Sequence, residues 1–404
     1  MSFSFVEEYG GFLSMPKAKE MKEIIYLDHA ATSWPKPEAV KEAMLQAMET
    51  AGANPGRGSH QMATNASRVL FNTRRIIAKL FGIRNPNDIV LTSNTTMSLN
   101  LAIKGILEPG DHVITTMMEH NSVRRPLEYL KSLGHIEVDY LPLTDEGQIS
   151  VDMMESKVRP HTKLVVVSHS SNLLGSILPL QEISAVTRKY RIPLLVDAAQ
   201  SAGLLPIDVE KMGIDMLAFP GHKGLLGPQG TGGLYIHPDL DVKPLLHGGT
   251  GSQSEAVGQP TVRPDRYESG TPNTIGYAGL RAGIEQVLSL KLDHIYEHEW
   301  SLTQYLIEGL EKVPGAHILG PGKGYPRSGL VSFYIENLDS AEIAFRLDRE
   351  YGIAVRSGYH CTPLAHESVG TLNRGAVRAS FGVNSTEAEV SALLAAVHHL
   401  ADRF

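Results

Sequence analysis

Short apolar segments alternate with amphipathic segments through the middle of this 404-residue chain, and this alternation limits the possible folds more than any other feature. The pattern predicts strands at 88–92, 112–116, 137–141, 163–168, 193–197, 216–219 and 232–236. Between them it predicts helices at 96–106, 124–133, 151–158 and 181–190. Because strands that alternate with helices form a mainly parallel sheet covered by helices, we expect an α/β fold with a seven-stranded, mainly parallel sheet.

Two of the predicted strands lead directly to residues that could take part in catalysis. One ends at Asp197, and another is followed by the turn PGHKG, which contains Lys223. Ligands of such sheets gather outside the carboxyl ends of the strands. A carboxylate that keeps a pyridine nitrogen protonated and a lysine that forms an imine are the minimum that pyridoxal phosphate (PLP) requires. Either residue alone is more often a surface lysine or a strand-end aspartate of an unrelated α/β enzyme, but together they favour a PLP site.

The last third of the chain has a different pattern, which predicts a second domain. A Gly/Pro/Ser-rich stretch at 245–273 precedes a predicted helix at 274–290. Beyond it we expect helices at 300–313, 340–351 and 386–404 and an antiparallel sheet of strands near 329–335, 353–356 and 376–380. We therefore divide the chain into three parts: an extension at 1–22, either poorly ordered or preceding the true start, a large PLP-binding domain at 23–281, and a smaller α+β domain at 282–404.

Composition excludes several classes of protein. A net charge of −7 offers no basic surface for nucleic acid. No apolar run approaches the roughly 18–20 residues of a membrane-spanning helix. The single cysteine, Cys361, excludes an internal disulfide and a multi-cysteine metal site. The first residues lack the basic and apolar regions of a secretory leader, so we expect a cytoplasmic protein that binds neither membrane nor metal.

Several separated motifs carry a resemblance to a known family. In chain order they are YLDHAATS, SNTTMSLN, MEHNS, SHSSNLLG, VDAAQSAG, GHKGLLGPQG, ESGTPNT, RSGYHC and VRAS. Each is weak alone, but the ordered set, from Tyr26 to about Ser380, is highly specific. The chain resembles class-V, fold-type I PLP enzymes, and among them the cysteine desulfurase and selenocysteine lyase branch. The resemblance implies a fold-type I PLP-dependent transferase with PLP as its cofactor.

The resemblance also implies a role for each residue around the cofactor. Lys223 would bind PLP covalently, and Asp197 would hold the pyridine nitrogen. The further expected contacts are Thr95, Thr96 and His222 on the phosphate, Gln200 on the ring 3′-oxygen, His120 on the ring face, and Asn172 near the ring oxygen and the substrate carboxylate. Outside the family context, Thr95 would be an ordinary helix N-cap. The chain departs from the family at Pro220, where a hydroxyl residue often binds phosphate, so one donor is expected to be missing or replaced.

The segment ESGTPNT has an expected role between subunits. In the family this segment reaches the phosphate of the neighbouring subunit, which would place Gly270 and Thr271 in the partner's site. The simpler alternative is a capping turn before the helix at 274–290. If the resemblance holds, the enzyme is a homodimer in which both chains complete each site.

The loop RSGYHC points to the reaction. A lone cysteine is usually a small buried hydrophobic residue, but Gly358 indicates a loop, and Arg356 and His360 could stabilise a thiolate at Cys361. The resemblance implies that Cys361 takes sulfur from cysteine as a persulfide and that alanine is released. It places Arg378 on the substrate carboxylate and Arg356 and His29 near the substrate.

The spacing between the cysteine and the arginine indicates how sulfur leaves. Only 16 residues lie between Cys361 and Arg378, which resembles the desulfurase group with a short, restrained loop. A short loop cannot carry the persulfide far, so a dedicated sulfur-acceptor protein is expected to come to the pocket.

Other functions remain open at this stage. The main alternative is a class-V PLP aminotransferase, β-lyase or epimerase-like enzyme in which Cys361 is a bystander. A non-catalytic sulfur-relay partner is disfavoured by the complete set of cofactor residues. Selenocysteine as a substrate and the destination of the sulfur also remain open.

Overall fold

Strands and helices alternate along most of the chain, as predicted. The computed structural model describes residues 24–56, 58–253 and 255–403, and the predicted extension at 1–22 lies outside them. The strands are β1 (Ile25–Tyr26), β2 (Ile89–Thr92), β3 (Asp111–Thr116), β4 (Ile136–Leu141), β5 (Thr162–Ser168), β6 (Leu194–Asp197), β7 (Met216–Pro220), β8 (Gly232–Ile236), β9 (Ala316–Leu319), β10 (Leu330–Ile335), β11 (Ile353–Ala354), β12 (Arg356–Gly358) and β13 (Ala376–Ser380).

Helices connect these strands. They are α1 (Glu38–Thr50), α2 (Gln61–Phe81), α3 (Thr95–Ile106), α4 (Asn121–Ser132), α5 (Val151–Ser156), α6 (Leu180–Tyr190), α7 (Val209–Met212), α8 (Thr274–Leu290), α9 (Leu292–Leu310), α10 (Ser340–Tyr351), α11 (Pro363–Ser368) and α12 (Glu387–Ala401). Across the described ranges, none of them is long and apolar enough to cross a membrane.

The main sheet has the predicted size and orientation. Its seven strands lie in the order β2-β8-β7-β6-β5-β3-β4, and all neighbours are parallel except at β8, which is antiparallel to β2 and β7. Alternate residues of β5 pack into different cores: Val165 and Val167 on one face, Leu164 and Val166 on the other. A parallel sheet buried on both faces explains why its strands read as continuous apolar runs. The predicted α/β fold class is thus confirmed.

The second sheet is antiparallel, in the order β12-β13-β10-β9. Its core includes Phe333 of β10 and Val377 of β13, packed with Leu306, Leu347 and Leu393 from the helices α9, α10 and α12. The first strand of the chain also belongs here, because β1 pairs with β11 and Leu27 lies in the same core. The division at 281 stays a proposal, but these N-terminal residues pack with the smaller region rather than with the larger one.

Several predicted boundaries were wrong. The helix predicted at 300–313 is α9, which begins eight residues earlier, directly after Lys291 with its positive φ of 68°. The strand predicted at 353–356 is two strands, because the chain leaves β1 at Ala354 and joins β13 from Arg356. Strand β9 and the short helices α7 and α11 were not predicted, since each is only four to six residues long.

Candidate active site

A pocket of about 170 Å³ opens at the carboxyl ends of the central strands. Loops after β3, β5, β6 and β7 supply its walls, as expected for an open α/β sheet. Eight of the predicted residues meet in this pocket: Thr95, Thr96, His120, Asn172, Asp197, Gln200, His222 and Lys223. Asn94, Ser122, Ser168, Ser170, Ala199 and Pro220 complete the lining.

Lys223 lines the pocket, and its pKa is lower than that of an ordinary lysine. Burial, together with the nearby Arg378, lowers the pKa of its amine to about 8, although Asp197 acts in the opposite direction. A buried amine with this pKa is partly neutral near pH 8, and a neutral amine is what nucleophilic attack and proton transfer require.

Asp197 ends β6 and is 4% exposed. Burial raises the pKa of its carboxyl to about 6, opposed by the Ala199 N–H, which donates to Oδ1 at 2.9 Å, and by Lys223. A second buried acid, Glu119, accepts from the Thr116 hydroxyl at 2.6 Å and from the Ser168 hydroxyl at 2.8 Å. Burial raises the pKa of Glu119 to about 7. Sequence reasoning missed Glu119, although it stands beside His120 in MEHNS.

The first turns of two helices line one end of the pocket. The cap of α3 is Asn94, whose Oδ1 accepts from the Met97 N–H at 2.9 Å. The Thr95 hydroxyl is therefore not used for capping, and it is buried without a hydrogen-bond partner among the described residues. An unpaired buried hydroxyl at a helix start is suited to a phosphate.

Ser122 joins this end of the pocket to His120. Its hydroxyl lies 2.8 Å from the Thr96 hydroxyl and 2.9 Å from Nδ1 of His120. Nδ1 of His120 also accepts from the Ser122 N–H at 3.0 Å, so the ring proton is on Nε2. Burial and then Lys223 lower the pKa of His120 to about 4, which leaves the ring neutral at pH 7. Ser122 was missed, though it too is part of MEHNS.

The pocket is also lined by His222, Gln200 and Pro220. Nδ1 of His222 is 3.2 Å from the Thr32 hydroxyl, and Nε2 of Gln200 donates to the Ala30 carbonyl at 3.0 Å. Pro220, the last residue of β7, lines the pocket without an N–H to donate. His29 lines an adjoining cavity that shares Lys223 and Gln200 with this pocket.

The cysteine loop is held in a strained conformation. Gly358, His360 and Cys361 have positive φ of 101°, 48° and 61°, and such values are costly for a residue with a side chain. Two hydrogen bonds hold the loop, and one of them comes from the pocket residue Asn172. Nδ2 of Asn172 donates to the His360 carbonyl at 2.7 Å, and the Asn121 N–H donates to the Cys361 carbonyl at 2.8 Å.

The thiol of Cys361 is partly exposed and faces a cation. Nη2 of Arg356 lies 3.6 Å from its sulfur. The expectation that His360 also stabilises a thiolate was wrong. Nε2 of His360 bonds the Ala376 carbonyl at 3.0 Å, and burial lowers the pKa of the ring to about 2, so it carries no charge. His360 holds the loop against β13 instead.

Arg378 is almost fully buried, at 1% exposure. Its guanidinium donates to Asp28 at 2.7 Å and to the Asn172 carbonyl at 2.9 Å, while Nε is buried without a partner in the described structure. Asp28 was missed as its partner, although it follows directly on YL in the first motif. Arg378 therefore joins the first loop of the chain to the Asn172 loop beside the cysteine.

Gly270 and Thr271 do not line this pocket within one chain. They lie beside residues 54–56, where Nδ2 of Asn54 donates to the Thr271 hydroxyl at 3.4 Å. This position leaves open the prediction that they reach the site of a second subunit.

The "Aminotransferase class-V" profile matches residues 25–393. The chain belongs to this family. Class-V aminotransferases are PLP enzymes as a family, and the family prediction is confirmed. A probable cysteine desulfurase from Pyrococcus abyssi is 36% identical over 386 residues, which cover 94% of this chain and 94% of the relative.

Solved class-V structures share the whole fold. The apo cysteine desulfurase of Thermococcus onnurineus NA1 matches with a TM-score of 0.89 and 35% identity over 95% of this chain and 96% of that one. The cysteine desulfurase CsdA of Escherichia coli matches with a TM-score of 0.85 and 29% identity over 94% of this chain and 95% of that one. The fold of this protein is therefore that of the cysteine desulfurases.

Proposed function

We propose that this protein is a PLP-dependent cysteine desulfurase that converts L-cysteine to L-alanine and carries the sulfur as a persulfide on Cys361. One observation carries the proposal: the strained loop that presents Cys361 is hydrogen-bonded to Asn172, which lines the Lys223 pocket, and to Asn121, which follows the lining residue His120. A cysteine that served only packing would not need a strained backbone, and it would not face a guanidinium at 3.6 Å.

The residues of the pocket fit PLP. The Thr95 hydroxyl is buried and unpaired at a helix start, which suits a phosphate oxygen. Asp197 is a buried acid at the carboxyl end of the neighbouring strand, which suits a protonated pyridine nitrogen. In this proposal Lys223 would hold the cofactor, and Thr96 and His222 would bind its phosphate. Gln200 and Asn172 would lie at the ring oxygen and His120 on the ring face.

When bound, PLP supplies an electron sink that allows the α-proton of the amino acid to leave. Lys223, with a pKa of about 8, can take this proton and give it back. His120 is neutral with its proton on Nε2, so it can donate a proton and then recover it. Arg378, through its unpaired Nε, and Arg356 bind the substrate carboxylate, and His29 lies on the far side of Lys223.

Cys361 performs the sulfur transfer. Its thiolate attacks the sulfur of the bound cysteine, so the new S–S bond forms as the Cβ–S bond breaks. The electron pair of the Cβ–S bond remains with the carbon skeleton, which takes up protons and leaves as alanine. The thiol hydrogen of Cys361 and that of the substrate account for the proton on the persulfide and the extra hydrogen of alanine, so no external reductant enters this half of the reaction.

The working unit is proposed to be a homodimer. Gly270 and Thr271 lie away from the pocket of their own chain, on a surface beside residues 54–56. Their contribution to a partner's phosphate site predicts that a monomer loses PLP. Sedimentation analysis with PLP absorbance tests this, and a monomer with full activity would exclude it.

A sulfur-acceptor protein is proposed to come to the site, because the hydrogen bonds on His360 and Cys361 keep the loop at the pocket. Equal discharge of the persulfide by a small thiol and by any candidate acceptor would rule this out.

Product analysis tests the proposed reaction. Wild type, Cys361→Ser and Lys223→Ala are each incubated with L-cysteine and a reductant, and alanine, pyruvate and sulfide are measured. We expect alanine and sulfide from the wild type alone, and loss of the yellow colour in Lys223→Ala. Pyruvate in place of alanine, or equal turnover by Cys361→Ser, would assign the protein to another class-V reaction.

A further inference from the structure

A second cavity, of about 50 Å³, lies next to the cofactor pocket. Lys223, Gln200 and Ala199 line both spaces, so Lys223 stands in the wall between them. The far side of this cavity is formed by α9, the start of β10 and residues 381–383. None of the roles proposed above uses this space.

An acid lines the cavity without a partner. Glu299 of α9 is 8% exposed, and in the described ranges its carboxyl makes neither a hydrogen bond nor an ion pair. Its Oε2 lies against Gly329, where an added Cβ would come within 2.1 Å, so the carboxyl needs a glycine at this position. The guanidinium of Arg327, two residues before Gly329, is bound to the carbonyls of Leu330, Pro321 and Leu174.

His29 provides a second unpartnered group in the same cavity. Its Nδ1 is buried with no hydrogen-bond partner among the described residues, and an added Cβ on Gly382 would lie 2.4 Å from that atom. Burial lowers the pKa of His29 to about 4 and raises that of Glu299 well above its ordinary value. Burial thus favours the uncharged forms of Glu299 and His29, and the third titratable group that lines this cavity is the amine of Lys223.

Most of the remaining lining is apolar: Leu204, Leu226, Ile295, Leu330, Phe381 and Val383. A space of this volume holds a few water molecules when polar groups face it, since one water needs roughly 10–15 Å³ by the same measure. Water between Glu299 and Lys223 would connect two groups that exchange protons.

We propose that Glu299 stores a proton behind Lys223 and passes it through cavity water, which His29 helps to hold, to the amine. This inference rests on the proposed function, in which Lys223 moves the α-proton. Glu299 acts through Lys223, so it is a positioning residue for the proton and not a catalytic residue.

Each proton transfer of this relay has its donor and its acceptor in the cavity. The carboxylic acid of Glu299 gives its proton to the neutral amine of Lys223, which leaves a carboxylate and an ammonium. The ammonium can then deliver a proton to the substrate carbon. Once the neutral amine has taken the next α-proton, transfer of that proton to the Glu299 carboxylate restores the acid and the amine. A proton that left the substrate can thus be exchanged for another without opening the substrate side of the pocket.

The first test uses no turnover. The melting temperature of the apo-protein is measured from pH 5 to pH 8 for wild type, Glu299→Gln and the control Glu297→Gln, an exposed acid on the same helix. Unfolding lets Glu299 ionise above its ordinary pKa of 4.5, so wild-type stability falls as pH rises relative to Glu299→Gln. Glu297→Gln should follow the wild type. A constant difference between wild type and Glu299→Gln would mean that Glu299 is ionised in the native state and would overturn the proposal.

The second test follows the proton on Lys223. The holoenzyme is incubated with L-alanine in D₂O, and the loss of the α-hydrogen is followed by NMR. Glu299→Gln should slow this exchange at least fivefold with unchanged affinity for L-alanine, and Glu297→Gln should match the wild type. Equal exchange in Glu299→Gln and wild type overturns the relay while the proposed function stands. Absence of exchange in the wild type overturns the proposed function itself, and the relay with it.

Discussion

The backbone N–H of Asn121 donates a 2.8 Å hydrogen bond to the carbonyl oxygen of Cys361, across 240 residues of sequence. Asn121 is the first residue of α4 and directly follows His120. The hydrogen bond therefore connects the backbone next to the proposed ring-stacking residue with the backbone of the proposed nucleophile. The first N–H groups of a helix have no partner within the helix. One of them is used here to fix a loop with positive φ at Cys361.

Asn121→Pro removes this donor while leaving the helix intact, because proline is accepted at the first helical position and His120 is already extended. Leaving the Cys361 carbonyl without its hydrogen bond costs about 1–3 kcal/mol, which we expect to slow persulfide formation by about 5- to 150-fold. PLP absorbance should not change. Asn121→Ala keeps the N–H and should behave as wild type; a defect of equal size in both variants would show that the side chain matters and the hydrogen bond does not.

The variant Thr95→Val tests the affinity for PLP separately from the stability of the fold. The hydroxyl has no partner in the described structure, so its removal should leave the apo-protein as stable as wild type or more stable. Affinity for PLP should fall about tenfold or more, since a hydrogen bond to a charged phosphate contributes about 1.5–3 kcal/mol. Fluorescence titration of the apo-protein with PLP measures this.

Thr96→Val is the matched comparison, because the Thr96 hydroxyl is paired with Ser122 at 2.8 Å. This variant should lose stability already as apo-protein. Unchanged PLP affinity in Thr95→Val would remove Thr95 from the phosphate site.

Acid destabilisation should depend on His169. This ring is 4% exposed, and burial alone lowers its pKa from 6.5 to about 4. Between these values the unfolded chain binds a proton that the native protein does not, so stability is lost as pH falls from 6.5 towards 4. Denaturant unfolding at pH 7 and pH 4.5 should show His169→Met gaining about 2–3 kcal/mol relative to wild type at the lower pH.

The exposed His135 supplies the control for that experiment. His135→Met should keep the wild-type pH dependence. If His169→Met and wild type lose stability in parallel, then His169 is protonated in the native protein at pH 4.5.

The elements with strong periodicity or clear ends were predictable. Helices α8 and α10 and strand β13 have the predicted bounds, because asparagine, aspartate or glycine marks most of their ends. Strand β9 is a short edge strand between glycines, and its mixed polar and apolar residues do not alternate clearly. Its pairing with β10 depends on tertiary contacts that local patterns do not contain.

The residues that form the site were easier to predict from the sequence than the contacts between them. Eight of the cofactor residues stand in short motifs and meet in one pocket, because strand ends of a parallel sheet converge. The pair of Arg378 with Asp28 joins residues 350 positions apart, and no local pattern indicates it. The neutral state of His360 is likewise a consequence of burial, which the sequence RSGYHC does not reveal.

Mass spectrometry of the Cys361 peptide after one turnover tests the central claim most directly. The holoenzyme is mixed with L-cysteine without reductant, quenched with an alkylating reagent and digested, and released alanine is measured in the same sample. The account predicts one added sulfur on Cys361 in an amount equal to the alanine, and neither product with Lys223→Ala. Alanine formed while Cys361 carries no added sulfur would contradict it.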